Sequence, residues 1–532
     1  MSQIIEPGNE TTDTVFTERV DVSPKTTRRF YEVVVLLQAL NEGYGANDRG
    51  KINDMPHGTG EDSDELLFQN FVSRLGQICD SRPHGSTVTA FVVLQHPDKV
   101  EYVFGSNRRT HVELETTRGF INGILISLRQ SSDCEDDEQR TKYLSKLLRD
   151  VLMFNYERIR CYLNSLTDAL VACIANCETT VSSLNVVSQQ KIFVQILEMV
   201  RHANQSKNDD DGESSKHTEE LIDALQSLQN PVTALFLRKR ASDDKAGNTG
   251  PWRDLQHSSS RLLAYRRAVE VLWDASSMWP DLFDNFEITY ISSSNRALNP
   301  LDASPQTASE ILTRMIPKSV EAKGKFIEMA KTMQQNFDID RVIQEMWIKN
   351  SFRPIVHAEM LVHSWLEKTG GTRPERFFQN WRYIGGSKPT CKLCHYYFSA
   401  HPSGIQTRGT HGNLYLNWRL PDHADVYGLR SEEEALSKRR EILQGIMSHL
   451  KQCVLRTLSE KVTDSRPFDS NTISSFARNH GHFGVGTRLN SLKLAQSQPW
   501  ALNEDWETMD GESETEDAGG RLLESEAGSE AN

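Results

Sequence analysis

The sequence predicts an α/β core set in a large, mostly helical region, and three observations carry that expectation. Residues 87–94 and 100–104 are rich in β-branched and aromatic side chains and are joined by His96-Pro97-Asp98-Lys99, the pattern of a β-hairpin. Long stretches between residues 111 and 350 repeat apolar positions at helical spacing. Residues 382–384, apolar and aromatic, run into Gly385-Gly386 and then into a cysteine pair at i and i+3, the order strand, turn, helix.

Along the chain, residues 1–28 are polar and are expected to be disordered. Residues 30–40 (FYEVVVLLQAL) are apolar enough for burial but too short for periodicity to choose helix or strand. Residues 43–63 read as a Gly- and Asp-rich loop, and 64–79 as a helix with Leu66, Leu67, Phe71, Leu75 and Ile78 at helical spacing. Together 29–110 form a mixed α/β segment whose hairpin is expected to join the sheet that carries residues 382–384. Residues 111–350 are then a helical insertion or domain, with its clearest linker at 205–218, a weaker one at 241–250 and an interruption near 179–183. Closing such an insertion is tolerable because loop-closure cost grows only logarithmically with length. Residues 286–291 (FEITYI) alternate like a strand and compete with the hairpin as the source of the core sheet. Residues 351–430 hold the motifs. Ser431 and Glu434 form a capping box that opens an amphipathic helix over 431–462, with Leu436, Ile442, Leu443, Ile446, Leu450, Val454 and Leu458 on one face. Residues 463–532 are polar and then acidic, and no internal repeat is visible.

The net charge of −13 is unevenly placed. Residues 504–532 hold eleven Asp/Glu and one Arg, whereas 351–430 hold ten Lys/Arg and five Asp/Glu, a local charge of +5. The tail cannot bury enough apolar surface to fold. The basic segment favours an anionic substrate such as a nucleic acid or nucleotide, against the plainer reading of a solvated positive face. Eight cysteines scattered over 532 residues, with Cys391 and Cys394 the tightest pair, fit a reducing compartment rather than a disulfide scaffold. No secretory signal and no apolar run of membrane-spanning length is seen, so the expected location is cytoplasmic or nuclear, with no membrane partner.

The chemistry-bearing residues are His357-Ala358-Glu359 and, 34 residues on, Cys391-Lys392-Leu393-Cys394. One imidazole and two thiols supply three corners of a tetrahedral zinc site and leave the fourth open, the arrangement of a catalytic metal. A carboxylate two residues from the histidine can then move protons. On a regular helix, positions i and i+2 point about 200° apart, so His357 and Glu359 converge only where the chain enters a helix. Pro354 and the helix formers after Met360 put that entry at the required place. Thr390 reads as the N-cap of a second helix that carries both cysteines in its first turns, where the dipole favours thiolate.

These residues, with SKPTCKLC, the preceding Ile-Gly-Gly and the downstream HGNLYLNWRLP, resemble the zinc-dependent nucleobase deaminase superfamily, whose signature is H-x-E followed by P-C-x-x-C. Within it they look like the deaminase-like family related to bacterial polymorphic toxins and expanded in filamentous fungi. The resemblance covers about 80 residues and departs from the signature at Thr390, which separates Pro389 from Cys391. It implies a cytidine-deaminase-like three-layer core, a mixed sheet with zinc-binding helices. It also implies Zn2+ on His357, Cys391 and Cys394, Glu359 as the proton shuttle, and hydrolytic deamination of cytosine or adenine. Trp381, Tyr383, Lys388 and Trp418 are candidate substrate contacts. The runner-up is a silent, zinc-stabilised interaction protein, and a third reading is a toxin-derived effector acting on foreign nucleic acid.

Other assignments compete for the same residues. His395, His401 or His411 as a fourth ligand would make the site structural. Cys391–His395 is formally a haem-attachment motif, and CxxC alone is a redox pair. A second H-x-E, His111-Val112-Glu113, follows the hairpin and Gly105-Ser106-Asn107 but has only Cys134 near it, and His111 reads as a helix-start residue. His363, four residues after Glu359 on the same helix face, reads as a polar surface histidine, with a supporting role behind the site as the alternative.

Overall fold

The computed structural model describes residues 22–45, 64–131, 137–178, 184–205, 213–242, 249–301, 304–422 and 432–463. The acidic tail, the interruption near 179–183, Cys134 and the capping residue Ser431 lie outside them.

The first element among the described residues is α1 (Pro24–Gly45), which settles residues 30–40 as helix and begins inside the stretch expected to be disordered. Ser23 Oγ accepts from the Thr26 N–H at 3.2 Å, and Pro24 occupies the first helical position, where a missing N–H costs nothing. Its continuous apolar run suits burial on nearly every side. After α2 (Asp64–Cys79) come β1 (Thr89–Gln95) and β2 (Val100–Ser106), the hairpin read from the sequence.

A helical array follows: α3 (His111–Ser131), α4 (Asp137–Phe154), α5 (Tyr156–Glu178), α6 (Leu184–Gln205), α7 (Glu213–Leu225), α8 (Pro231–Ser242), α9 (Gly250–Met278) and the single turn α10 (Asp281–Asp284). Helix α7 takes in residues 213–218 of the expected linker, because Leu221, Ile222 and Leu225 bury a stripe that extends helix into polar sequence. Residues 206–212 and 243–248 are not described.

The remaining elements are β3 (Phe286–Ile291), α11 (Ala308–Met315), α12 (Lys323–Phe337), α13 (Ile339–Trp347), α14 (Ala358–Lys368), β4 (Tyr383–Gly386), α15 (Lys392–Ala400), β5 (Gln406–Thr407) and α16 (Glu432–Glu460). The segment 111–350 is therefore not purely helical, since β3 belongs to the core.

One five-stranded mixed sheet has the order β3-β2-β1-β4-β5. Strand β1 runs antiparallel to β2, with Phe91 opposite Phe104, and antiparallel to β4, with Ala90 opposite Gly386. Strands β3 and β5 add in parallel to β2 and β4. The hairpin and FEITYI, read as competitors, both enter the sheet. Strand β4 has only four residues and needs partners drawn from across the chain.

Both faces of β1 and β2 are covered, hence their near-continuous burial. On one face Phe71, Val72 and Leu75 of α2 meet Phe91, Val93, Tyr102 and Phe104, in a cluster continuous with the helical array. On the other, Ala358, Val362 and Leu366 of α14 meet Ala90, Val92, Val103 and Ile384. Met360 and Leu361 turn instead to a cluster built from α1, α11–α13, α15 and α16. This is an α/β deaminase-like core within a helical region, as the sequence predicts. Gly76 and Gly385 allow the closest approach: a Cβ on Gly76 would lie 2.8 Å from Ser387 N, and one on Gly385 2.7 Å from Ser73 N. No helix among the described residues is long and apolar enough to cross a membrane.

Candidate metal and catalytic centre

The chain reaches His357 in extended form. Ile355 pairs with the downstream LNWR segment, its N–H donating to Asn417 O at 3.3 Å and its carbonyl accepting from Arg419 N–H at 2.9 Å. His357 keeps that conformation (φ −74°, ψ 156°) as the N-cap of α14. It therefore escapes the 200° divergence, and its ring turns toward the same site as Glu359. The Ala358 N–H that follows donates to Asn107 Oδ1 at 2.9 Å.

Cys391 (φ −72°, ψ 167°) is itself the N-cap of α15, its sulfur accepting from Cys394 N–H at 3.4 Å. Thr390, expected in that role, sits one residue too early. Its N–H donates to Gly409 O and its carbonyl accepts from His411 N–H, so it continues the strand-like pairing beyond β4.

His357 Nδ1 lies 3.5 Å from Cys391 Sγ and 3.4 Å from Cys394 Sγ. A tetrahedral zinc with bonds of about 2.0 and 2.3 Å sets N···S edges of about 3.6 Å, so the donors fit the ion. The three ligand atoms all lie within 4.8 Å of one another, and no fourth His, Cys, Asp or Glu joins them among the described residues. Of the rival ligands, His395 is exposed, His401 Nδ1 accepts from Ser403 N–H, and His411 Nδ1 accepts from Asn413 N–H. The carbonyl of Asn417 bonds the His357 ring, orienting the imidazole as the partners of metal-bound histidines do.

Glu359 is only 5 % exposed, and its Oε2 is buried with no hydrogen-bond partner among the described residues. What sets this orphan apart from other buried polar atoms is its place, an acceptor beside three candidate metal ligands and open to a partner the chain does not supply. Burial pushes this carboxyl up, against the opposing pull of His357. Burial likewise works against a charged Cys391, but Cys394 and His357 outweigh it and hold that thiol well below its ordinary value. Burial and then Cys391 push Cys394 well above. A soft thiolate, a second thiol and an imidazole are the donor set of zinc.

Behind Glu359 stands Gly386, where an added Cβ would come within 2.9 Å of Lys388 O and 3.9 Å of Glu359 Oε1. The adjoining carbonyls of Gly386 and Ser387 accept from Arg408 Nη1 at 3.4 and 3.1 Å.

Residues 356–422 match the model of the OTT_1508-like deaminase family. The match begins one residue before His357 and ends at Asp422, so it takes in all three candidate ligands and Glu359 but is a small part of the 532-residue chain. No curated protein and no solved structure matches the chain.

The aromatic residues expected around the deaminase-like centre are mostly structural. Trp381 packs 5.0 Å from Phe68 and 5.9 Å from Trp279 on the α2 face. Tyr383 is buried and shares a 2.9 Å hydrogen bond with Ser73. Trp418 is 1 % exposed, against Phe30 and beside Cys394. Strand alternation aims Tyr383 away from α14, and burial leaves Trp418 no open face. Lys388 is part-buried in the loop between β4 and the cysteines.

His363 is not a surface residue: it is fully buried, between Tyr397 Oη and Ser403 Oγ, each at 3.0 Å. His111 is exposed at the start of α3, while Glu113 caps that helix through Thr110 N–H at 2.8 Å. Asn107, which precedes this second H-x-E in sequence, serves the first one in space. Sequence reasoning also missed Tyr415, a partly exposed ring 6.5 Å from His357. A separate cavity of about 50 Å³, lined by Glu367, Tyr397, His401, Lys438 and Arg439, touches none of the four motif residues.

Proposed function

We propose that the segment 356–422 is the catalytic part of a zinc-dependent hydrolase that deaminates cytosine or adenine within a nucleotide or nucleic acid. The single observation that carries this reading is the buried, unpartnered Oε2 of Glu359 beside a three-ligand cluster. A structural site gives that carboxylate no work. His357, Cys391 and Cys394 would hold the ion, which when bound supplies a Lewis acid able to make water nucleophilic near neutral pH.

Glu359 accepts one proton from the attacking water at Oε2 and delivers it to the ring nitrogen next to the amine-bearing carbon. It passes a second proton to the departing amine, so that one water is consumed, ammonia leaves, and the base keeps a carbonyl. Asn417 and Asn107 fix the histidine ring and the helix entry. Tyr415 and Lys388 are the residues we assign to contact the substrate, in place of the buried aromatics. We further place the protein in the cytosol or nucleus, and its relatives among the fungal deaminase-like proteins.

The test is mass spectrometry of nucleosides after incubating the zinc-loaded chain with single-stranded DNA, RNA and free nucleotides. Conversion of cytosine to uracil or adenine to hypoxanthine is expected. Glu359→Gln should keep the metal and lose about 10²–10⁴-fold in rate. Absence of product on every substrate would favour a silent scaffold, and an equally active Glu359→Gln would remove Glu359 from the mechanism.

A further inference from the structure

Two loops from distant parts of the chain brace the residues leading into the centre, and each carries an arginine with no partner among the described residues. Arg108 follows Asn107, whose side chain accepts from Ala358 N–H. Arg296 lies two residues after Ser294, whose hydroxyl accepts from Val356 N–H at 2.9 Å, and just before Ala297, whose N–H donates to Pro354 O at 2.8 Å. Both arginines are thus carried beside the short stretch 354–358 that ends in the metal cluster and Glu359. Both are exposed.

Their neighbours are not so arranged. Arg109 is buried and donates to Cys79 O and Ser81 Oγ. The nearby acids are taken: Glu113 pairs with Arg82, Asp80 with Arg158, and Asp422 with Arg419. No ion pair or hydrogen bond to Arg108 or Arg296 occurs among the described residues. The two loops also touch, for Ser293 Oγ accepts from Arg109 N–H at 2.9 Å and donates to Ser106 O at 2.7 Å, so the segments that carry the two arginines lie together. Like charges held together are unfavourable unless an anion joins them.

We propose that Arg108 and Arg296 form an anion subsite at the mouth of the centre that takes a phosphate ester of the substrate. On the deaminase reading, on which this rests, the base then arrives on a phosphorylated sugar and not as a free base or nucleoside. Guanidinium forks match phosphate oxygens in geometry and charge. The phosphate of a mononucleotide and the phosphodiester of a strand share this chemistry.

Binding tests it without turnover. Zinc-loaded full-length chain is titrated into a fluorescein-labelled single-stranded oligonucleotide, with competition by cytidine, adenosine and their 5′-monophosphates. The variants are Arg108→Gln, Arg296→Gln, the double variant, and Arg160→Gln on α5 as a control. Because neither arginine has a partner among the described residues, the variants should fold normally by circular dichroism. The double variant should bind at least about tenfold more weakly, the loss of two charge-assisted contacts, with a salt slope shallower by about 1.4. Arg160→Gln should bind as the wild type does. Monophosphates should compete at least about tenfold better than nucleosides if mononucleotide phosphate is the source. Competition by unlabelled strand alone makes the phosphodiester the source. A double variant that binds as the wild type does, or nucleosides that compete as well as both monophosphates and strand, overturns the subsite. An inactive chain with arginine-dependent binding keeps the subsite and sinks the deaminase reading. An active chain with arginine-independent binding does the reverse.

Discussion

At the scale of single residues, the centre depends on backbone conformations held by side chains far away in sequence. Asn107 shows this most directly, since its Oδ1 accepts from Ala358 N–H and its Nδ2 donates to Gly85 O at 2.9 Å. It is 8 % exposed, so truncation would leave two backbone groups unsatisfied with little water to replace it. Asn107→Ala is expected to cost about 1–3 kcal/mol in a urea unfolding experiment. On the proposed zinc reading it should also weaken retention of the metal against a chelator, because the turn that fixes His357 loosens. A variant with wild-type stability and zinc affinity would show that the bond is incidental. The same reasoning explains which residues could be read from the sequence. His357, Glu359, Cys391 and Cys394 were legible because their spacing limits where they can meet. His363 was not, because nothing local distinguishes a surface histidine from one that Tyr397 and Ser403 enclose.

At the scale of elements, α14 and α15 are joined by a polar cluster that must stay uncharged. The His363 ring lies 4.4 Å from that of His401, itself 8 % exposed. Burial first, and then Lys438, push His401 down to about 4, and burial with His401 lowers His363 as well. An unfolded histidine titrates near 6.5, so between about pH 6.5 and 4 the unfolded chain binds protons that the folded chain refuses. This stability is complete above the unfolded value and is lost as pH falls toward the folded one. The urea midpoint is therefore expected to be flat from pH 8 to 7 and to decline below 6.5. His401→Asn, which keeps an acceptor for Ser403 N–H, should remove on the order of 3 kcal/mol of that decline. Comparing the two proteins separates this effect from acid-driven metal loss, and parallel pH profiles would refute it.

At the scale of the whole molecule, the core is assembled from segments separated by the helical array. The array is also tied to the centre directly. Arg158 on α5 meets Asp80 at 2.6 Å, and Asp80 accepts from Thr87 Oγ1 at 2.9 Å and from Ser387 Oγ at 3.4 Å, next to the Gly386 that backs Glu359. A buried pair of this kind is weak evidence for added stability, but it fixes one arrangement of the parts. A piece spanning residues 304–463 holds every motif yet lacks β1, β2, β3 and α2, leaving β4 without its antiparallel partner and its covering helix. That piece is expected to show no cooperative unfolding by circular dichroism and to bind zinc far more weakly than the full chain. Cooperative melting with native zinc affinity would mean that the discontinuous sheet is dispensable.

The sequence by itself determined the local features: the hairpin, the helical spacing of α2 and α16, the helix entry at His357 and the four motif residues. Each follows from bonds and sterics within a few residues, so neighbouring side chains suffice to set it. The pairing of the hairpin with residues 382–384 was also expected, but only the tertiary structure decided that FEITYI and the hairpin share one sheet, and that Cys391 rather than Thr390 caps its helix. It also decided that Trp381, Tyr383 and Trp418 serve the core, and that Asn107 belongs to His357-Ala358-Glu359 rather than to the motif four residues after it. These outcomes rest on hydrogen bonds and burial between residues up to several hundred positions apart, where a propensity carries no information about the partner.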